Sequence, residues 1–238
     1  MSFTYSQYQT DLANLLAVPS SDPNYVTVLP NIIDDAEQRI YRELDLANTL
    51  VTDSSGTFST SSRDFSLPSA SGTFVVVERI NVITPVGAAS PNAGTRNPLA
   101  PSSKEMLDYL WPSSTGSAVP TYFAMRTQTS LIVGPFPDQA YMVEVSGTIR
   151  PAPLSASSVT TLLTQYFPDL FMAASMVFGA GYLQNFGAAV DNPQMAGSWE
   201  SHYQKLLPSA QVEEARKKFR SQGWSSRQPP ALATPPLS

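Results

Sequence analysis

The sequence predicts an α+β protein, with a helical bundle formed by the N- and C-terminal segments, an inserted antiparallel β domain and an extended C-terminal arm. Apolar residues recur every three or four positions near both ends, and they alternate with polar residues in the middle. Four prolines in the final segment, 227–238, exclude a regular helix there. The predicted parts are N-terminal helices at 1–46, a β-rich domain at 47–153, C-terminal helices at 154–223 and the arm at 224–238.

Two helices are predicted in the N-terminal segment. Residues 4–17 carry tyrosines and leucines at helical spacing, and Pro19 ends this helix. The second helix has charged residues on one side, and Pro30 is either its first-turn residue or a kink. Its opposite face is apolar and consists of Ile33, Ala36, Ile40 and Leu44, widened by Ile32.

The middle of the chain predicts strands bounded by Ser, Gly and Pro turns. Residues 85–103 are expected to be a loop, and Lys104–Leu110 a short helix. In the last strand, Tyr141, Val143 and Val145 alternate with Met142, Glu144 and Ser146, which predicts one buried and one solvent-exposed face. Strands are predicted around Phe58, Phe65 and Leu67, and at 73–84, 121–126, 130–133 and 141–149.

Helical spacing returns at Pro168. Gly179 and Gly181 weaken this helix in isolation but permit close contact with another helix. Pro193 predicts the start of a further helix, which Pro208 kinks or restarts. Gly223 is expected to close it.

Charge and composition restrict the function classes. The chain has 238 residues, a net charge of −5 and no cysteine, which excludes disulfides and thiol catalysis. Residues 205–238 hold six Lys or Arg against two Glu, so the rest of the chain is acidic and general nucleic-acid binding is disfavoured. Residues 170–190 carry no charge but are interrupted by polar residues, which argues against a membrane span. The first residues lack a secretory signal, so we expect synthesis in the cytoplasm.

No catalytic or cofactor-binding constellation is visible in the sequence. His202 is the only histidine and is expected to be an ordinary helical residue. Asp34, Asp35 and Glu37 could bind a cation, but a solvated or subunit-contact face fits them better. The prediction is a structural protein without enzyme activity, metal or cofactor.

Two groups of residues are candidates for contacts with other molecules. A basic run on the last helix could meet passing DNA or an acidic partner, or could be a solvated face; it consists of Arg216, Lys217, Lys218 and Arg220. Subunit-interface candidates are Glu37, Arg39, Arg42 and Trp224. Four-residue spacings also pair Glu37 with Tyr41 and Arg39 with Glu43.

Aromatic and apolar side chains supply further candidates. Trp111, like Trp224, is either a core plug or an interface anchor. The apolar helices at 32–44 and 170–182 carry little charge, and we expect them to leave surface for neighbouring copies.

Two stretches of sequence carry a family pattern. One is Ala-Glu-Gln-Arg-Ile-Tyr-Arg-Glu-Leu at 36–44, and the other is Gly-Pro-Phe-Pro-Asp at 134–138, followed by Tyr141 and Val143. Supporting matches lie at 120–123, at 151–154 and at 168–170. In this order they resemble the head-to-tail adaptor proteins of short-tailed and related bacteriophages.

The resemblance implies a structural virion protein in the head–tail neck, made in the host bacterial cytoplasm. It implies a closed ring, with twelve copies matching the portal, that joins portal to tail and lines the DNA channel. The implied partners are the portal protein, other copies of the chain, a tail nozzle or tube protein and genomic DNA bound without sequence specificity, but no membrane. The C-terminal arm is expected to reach the portal through Arg227, Leu232 and Leu237.

Two other functions remain open at this stage. One is a tail nozzle, tail tube or head-completion protein, which would share the β region but need not share the paired helical ends. The other is a carbohydrate-binding or hydrolytic domain of a tail fibre, which requires clustered exposed aromatics and paired carboxylates at a cleft. The scattered acidic residues of this chain argue against the second.

Overall fold

A computed structural model describes residues 3–183 and 194–222 of the chain. It has helices at both ends and a β region inserted between them, which confirms the predicted α+β class. The described residues divide into two compact units. The helical unit comprises the chain up to Ala47 and from Pro153 onwards, and the β unit comprises Asn48–Ala152.

The described part of the helical unit contains five helices. They are α1 (Tyr5–Leu15), α2 (Pro23–Glu43), α4 (Leu162–Tyr166), α5 (Pro168–Leu183) and α6 (Gln194–Gln222). Helix α3 (Lys104–Leu110) belongs to the β unit. Thr4 caps α1 in a reciprocal arrangement with Gln7, and the Asp22 carboxylate accepts the amides of Asn24 and Tyr25 at the start of α2. Short polar side chains before each apolar pattern therefore fix where these helices begin.

The core of the helical unit is formed by apolar residues from both ends of the chain. Helix α5 packs against α1, α2 and α6, and the Tyr8 ring stacks on Phe171 at 4.7 Å between centroids. A Cβ at Gly179 would lie 3.1 Å from a Leu16 methyl group, so this glycine permits a close approach of α5 to the end of α1. The sequence predicted such a helix contact at Gly181 as well, but a Cβ at Gly181 would meet no atom within 4 Å. Fully buried members include Tyr8, Leu12, Leu29, Ile32, Ile33, Ile40, Phe171 and Tyr203.

The β unit has two four-stranded sheets. In the first the order is β1 (Leu50–Thr57), β8 (Met142–Arg150), β3 (Thr73–Thr84) and β4 (Thr95–Pro98), all antiparallel. In the second the order is β2 (Asp64–Ser66), β7 (Ser130–Gly134), β6 (Tyr122–Thr127) and β5 (Ala100–Pro101), and only β5 runs parallel to its neighbour.

Both sheets contribute to one apolar core. Phe65 from β2 and Val133 from β7 pack with Phe74 from β3 and Val143 from β8. On the other side of the second sheet, helix α3 (Lys104–Leu110) buries Leu107 in a separate apolar cluster. Val143, Val145 and Ile149 of β8 all belong to this core, because alternate side chains along a strand point to the same face.

Several local predictions need correction. Helix α2 begins at Pro23, so Pro30 lies inside the helix and is not its first-turn residue. The predicted loop at 85–103 contains β4 and β5, which pair with different sheets. The strand predicted around Phe58 lies earlier in the chain, at Leu50–Thr57, because this stretch has no clear alternation of apolar residues to indicate it.

The apolar helices do not leave the surface that we expected. The apolar side chains of α2 and of the described part of α5 are mostly buried inside the helical unit itself. The apolar surface that we predicted to contact neighbouring copies is therefore buried by packing between the two ends of one chain. The arm at 224–238 and the closing Gly223 lie outside the described residues.

Candidate interaction residues

Arg39 joins α2 to α6. Its guanidinium donates two hydrogen bonds to the Glu200 carboxylate, at 2.7 and 2.6 Å, and a third to Glu43 at 3.1 Å. The same group lies 4.1 Å from the centroid of the Tyr203 ring, and the Tyr203 hydroxyl donates to Glu43 at 2.6 Å. The hydrogen bonds from Arg39 lower the pKa of Glu200 to about 2.

This network changes the prediction that Arg39 on the second helix is a subunit-interface residue. The pairing of Arg39 with Glu43 is confirmed, but the bidentate bond to Glu200 places Arg39 within the helical unit. Charge reversal at Arg39 is therefore expected to damage folding as well as assembly. Arg42 is exposed and donates to Gln38 at 2.9 Å, so it remains an interface candidate.

Glu37 is buried, with 2% of its surface exposed. Its Oε1 accepts the backbone amide of Leu154 at 3.1 Å. Burial raises the pKa of Glu37 to about 7; the Leu154 hydrogen bond opposes this shift and the nearby Asp34 adds to it. A side chain buried in this way is not available to a neighbouring copy, so Glu37 is removed from the interface candidates.

Arg216 and Lys217, in the basic run on α6, have different environments. Lys217 Nζ contacts Glu213 at 3.0 Å and Glu214 at 2.7 Å, and it lies 5.1 Å from the centroid of the Phe167 ring. Arg216 is exposed. Lys217 is thus held by its own unit, whereas Arg216 can meet an external partner; the side chains of Lys218 and Arg220 lie outside the described residues.

The acidic group on α2 does not form a cation site. Glu37 points into the core, while the exposed Asp34 accepts a hydrogen bond from Gln38 at 2.6 Å. Within the described ranges, no three His, Asp or Glu side chains gather closely enough to hold a metal ion. His202 is exposed on α6 and lies edge-on to Trp199 at 5.7 Å, as expected for an ordinary helical residue.

In the β unit, Glu144 corrects the predicted solvent-exposed face of β8. It is only 6% exposed, and its carboxylate accepts hydrogen bonds from Arg96, at 2.9 to 3.1 Å, and from Asn81 at 2.8 Å. These bonds, chiefly those from Arg96, lower the pKa of Glu144. Arg96 lies in the segment that the sequence assigned to a loop, which is why the pairing was missed.

An exposed apolar patch in the β unit was also missed. Tyr109 on α3 is 82% exposed, and Met106, Leu110 and Tyr122 are each 40% exposed or more. Trp111 is half-buried beside them, 5.9 Å from Tyr122 between ring centroids, and it packs against the small cluster around Leu107. Trp111 thus packs on this cluster and keeps a partly exposed surface, so both predictions for it, core plug and interface anchor, stay open. The signal that could have revealed the patch is the pair Tyr109 and Leu110 beside the buried Leu107.

The remaining candidates are not placed by the structure. Trp224, Arg227, Leu232 and Leu237 lie outside the described residues. Of the helices in the described part of the chain, none combines the length and the apolar character needed to cross a lipid bilayer.

These features define a class: a two-unit α+β protein with one polar network between helices of the helical unit and another between strands of the β unit. The model of the SU10 adaptor protein family matches residues 3–229. The chain therefore belongs to the SU10 adaptor protein family, and the resemblance to head-to-tail adaptors is confirmed. A search of curated proteins found no match.

Proposed function

We propose that this protein forms a closed ring that joins the portal of a tailed bacteriophage to its tail. The observation that carries the proposal is the family match over 3–229, which makes the chain a structural adaptor. A ring of twelve copies would match the portal, and its interface would be heterologous, with two different surfaces of each copy in contact. The protein would then reside in the neck of the virion after synthesis in the host cytoplasm.

Surface charge supports specific roles in such a ring. The exposed Arg42 is a candidate for contact between copies, and Arg216 is a candidate for DNA in the channel or for an acidic partner. Lys218 and Arg220 follow Arg216 in sequence and extend the same basic run. Contacts to DNA would be made to phosphates and would carry no sequence specificity.

Electron microscopy and analytical ultracentrifugation, with and without portal, test the ring. We expect rings of twelve copies on the portal, even if the isolated protein is monomeric. A protein that never joins the portal would contradict the proposal. An Arg42→Glu variant should reduce ring formation while leaving the circular dichroism spectrum unchanged, and Asn31→Ser, an exposed change on the same helix, is the control.

The C-terminal arm is proposed to dock on portal subunits. Its prolines restrict the backbone and lower the entropy lost on ordering, and Leu232 and Leu237 supply apolar anchors beside Arg227. Deleting residues 227–238 should weaken portal binding and DNA retention in particles. Normal portal binding and normal DNA retention after the deletion would show that the arm does not dock on the portal. Changing both leucines to serine should reproduce the loss, and Thr234→Ser, between them, should not.

The channel role is tested by charge reversal at Arg216, Lys218 and Arg220 while Lys217 is kept. We expect particles that assemble but retain or eject DNA abnormally. If assembly itself fails, the basic run contacts a protein partner instead of DNA. Normal assembly together with normal DNA behaviour would remove the basic run from both roles.

A further inference from the structure

The chain leaves the helical unit once and returns to it once, and each crossing is held by a buried carboxylate. The outgoing crossing ends at Ala47, and the return crossing begins at Pro153. Both segments also bury leucines in the core of the helical unit: Leu44 and Leu46 before the exit, and Leu154 after the return.

At the outgoing crossing, the Ala47 amide donates to Oε2 of Glu214 at 2.8 Å. Glu214 is 5% exposed, and its other oxygen contacts Lys217 Nζ at 2.7 Å. Lys217 is positioned in turn by the rings of Tyr166 and Phe167, at 5.3 and 5.1 Å. The carboxylate is thus compensated by a cation from the next turn of α6, which favours a charge-assisted hydrogen bond to Ala47.

At the return crossing, the Leu154 amide donates to Oε1 of Glu37 at 3.1 Å. Glu37 lies on α2, and its side chain is closed off from solvent. The two carboxylates come from helices at opposite ends of the chain. Each accepts a backbone amide at a position where the chain passes between units, and a backbone amide in a buried segment needs such an acceptor.

We propose that Glu214 and Glu37 are two anchors that fix the chain at its exit from and its return to the helical unit, so that the β unit is inserted between two held ends. The anchors act separately, because they sit on different helices and hold different segments. The outgoing anchor includes Lys217, so the basic end of α6 is linked to the exit of the chain. This role accounts for Lys217 without any contact to DNA.

Hydrogen exchange measured by mass spectrometry on the full chain tests the proposal. Glu214→Met removes the acceptor at the exit, and exchange in peptides covering residues 44–50 should become about tenfold faster, as expected for loss of a hydrogen bond to a charged group. Exchange in residues 151–158 should stay unchanged. Glu37→Met should give the reverse pattern.

Conservative variants separate anchoring from a general loss of packing. Glu37→Gln keeps a side-chain carbonyl that can accept the Leu154 amide, so exchange at the return crossing should match the natural protein. Lys217→Met should loosen the exit but not the return, and Arg216→Met, one position away and exposed, should change neither. Glu213→Met is the second control, since Glu213 contacts Lys217 but is half exposed.

Two results would overturn the proposal. Equal acceleration of exchange in α1, α5 and both crossings would show that the carboxylates support the core in general. Unchanged exchange at both crossings in Glu214→Met and Glu37→Met would show that the buried leucines of the two segments hold the chain without the carboxylates. If Glu214→Met or Glu37→Met does not fold, the comparison of Lys217→Met with Arg216→Met still decides whether the exit anchor exists.

Discussion

The helical unit and the β unit each bury a carboxylate, yet the two side chains have opposite acid–base behaviour. Glu37 and Glu144 are 2% and 6% exposed. The pKa of Glu37 is raised to about 7, chiefly by burial, whereas the pKa of Glu144 is lowered, chiefly by Arg96. Exclusion from water alone therefore does not decide the charge state of a buried carboxylate.

The difference lies in what each carboxylate accepts. Glu37 accepts one backbone amide, while Glu144 accepts a guanidinium and the Asn81 amide group. A neutral donor offsets only part of the cost of burying a charge, and a cation offsets much more of it. Glu214 shows that the helical unit can also supply a cation, since Lys217 contacts it at 2.7 Å. The contrast thus belongs to the individual sites and not to the two folds.

Removing the cation that serves two carboxylates should have the largest effect. Arg39→Glu would leave Glu43 and Glu200 without their common partner and would add a third negative charge beside them. Arg39 itself is 18% exposed, while Glu200 and Glu43 are 37% and 33% exposed. Hydrogen bonds to two carboxylates are lost, each contributing about 2 kcal/mol, so we expect the free energy of unfolding of the helical unit to fall by about 4 kcal/mol. Chemical denaturation followed by circular dichroism would measure the loss.

The matched control for Arg39 is Arg42→Glu on the same helix. Arg42 is exposed, so its reversal should change stability by about 0.5 kcal/mol or less. Equal losses for the two variants would show that the network between α2 and α6 does not hold the helices together.

Glu37→Gln should remove a pH dependence from the helical unit. The folded pKa of Glu37 is about 7, above its unfolded value of 4.5, so the wild type loses stability as the pH rises through this range. Gln carries no charge to bury. The variant should therefore gain about 3 kcal/mol relative to the wild type between pH 4 and pH 8. Chemical denaturation of both proteins at pH 4 and pH 8 measures the difference in their free energies of unfolding. A difference that is the same at both pH values would contradict the prediction.

Glu144→Gln should show the opposite pH dependence in the β unit. The folded pKa of Glu144 is lowered, so its contribution is present above the unfolded pKa and is lost as the pH falls. Gln keeps an acceptor for Asn81 but no charge for Arg96. We expect the variant to lose about 1.5 kcal/mol at neutral pH and the gap to close in acid. A gap that widens in acid would mean that the ion pair does not stabilise the unit.

The sequence predicts elements whose signals are local. Strand β3 and helix α3 have the predicted bounds, because their signals lie within a few positions of each element. Strand β3 is rich in β-branched residues and is bounded by turn residues, and the Ser103 side chain caps α3 by accepting the Met106 amide. Strand β4 is recognisable only through its partner β3, since Thr95–Pro98 has no apolar alternation of its own. Pairing with a strand already formed thus overrides local preference.

The same distinction applies to the interaction residues. Arg39 and Glu43 are one helical turn apart and were paired from the sequence, but Glu200 is 161 positions away and no local pattern indicates it. Glu37 is different, because it falls four positions after Ile33 and three before Ile40, within the apolar stripe of α2. That spacing already indicates a buried carboxylate, although it does not indicate Leu154 as the donor.

The smallest effect is expected at an ion pair that resembles Arg96 and Glu144 in distance but not in burial. Arg126 Nη1 and Asp64 Oδ1 in the β unit are 2.8 Å apart, yet the two side chains are 55% and 59% exposed. Water and salt screen such a pair, and fixing two mobile side chains costs entropy that offsets the attraction. Arg126→Met should therefore change the free energy of unfolding by about 0.5 kcal/mol or less. Adding salt should shift the natural protein and this variant equally in denaturation experiments. A loss as large as that of Glu144→Gln would show that proximity alone, and not exclusion of the carboxylate from water, determines the strength of these pairs.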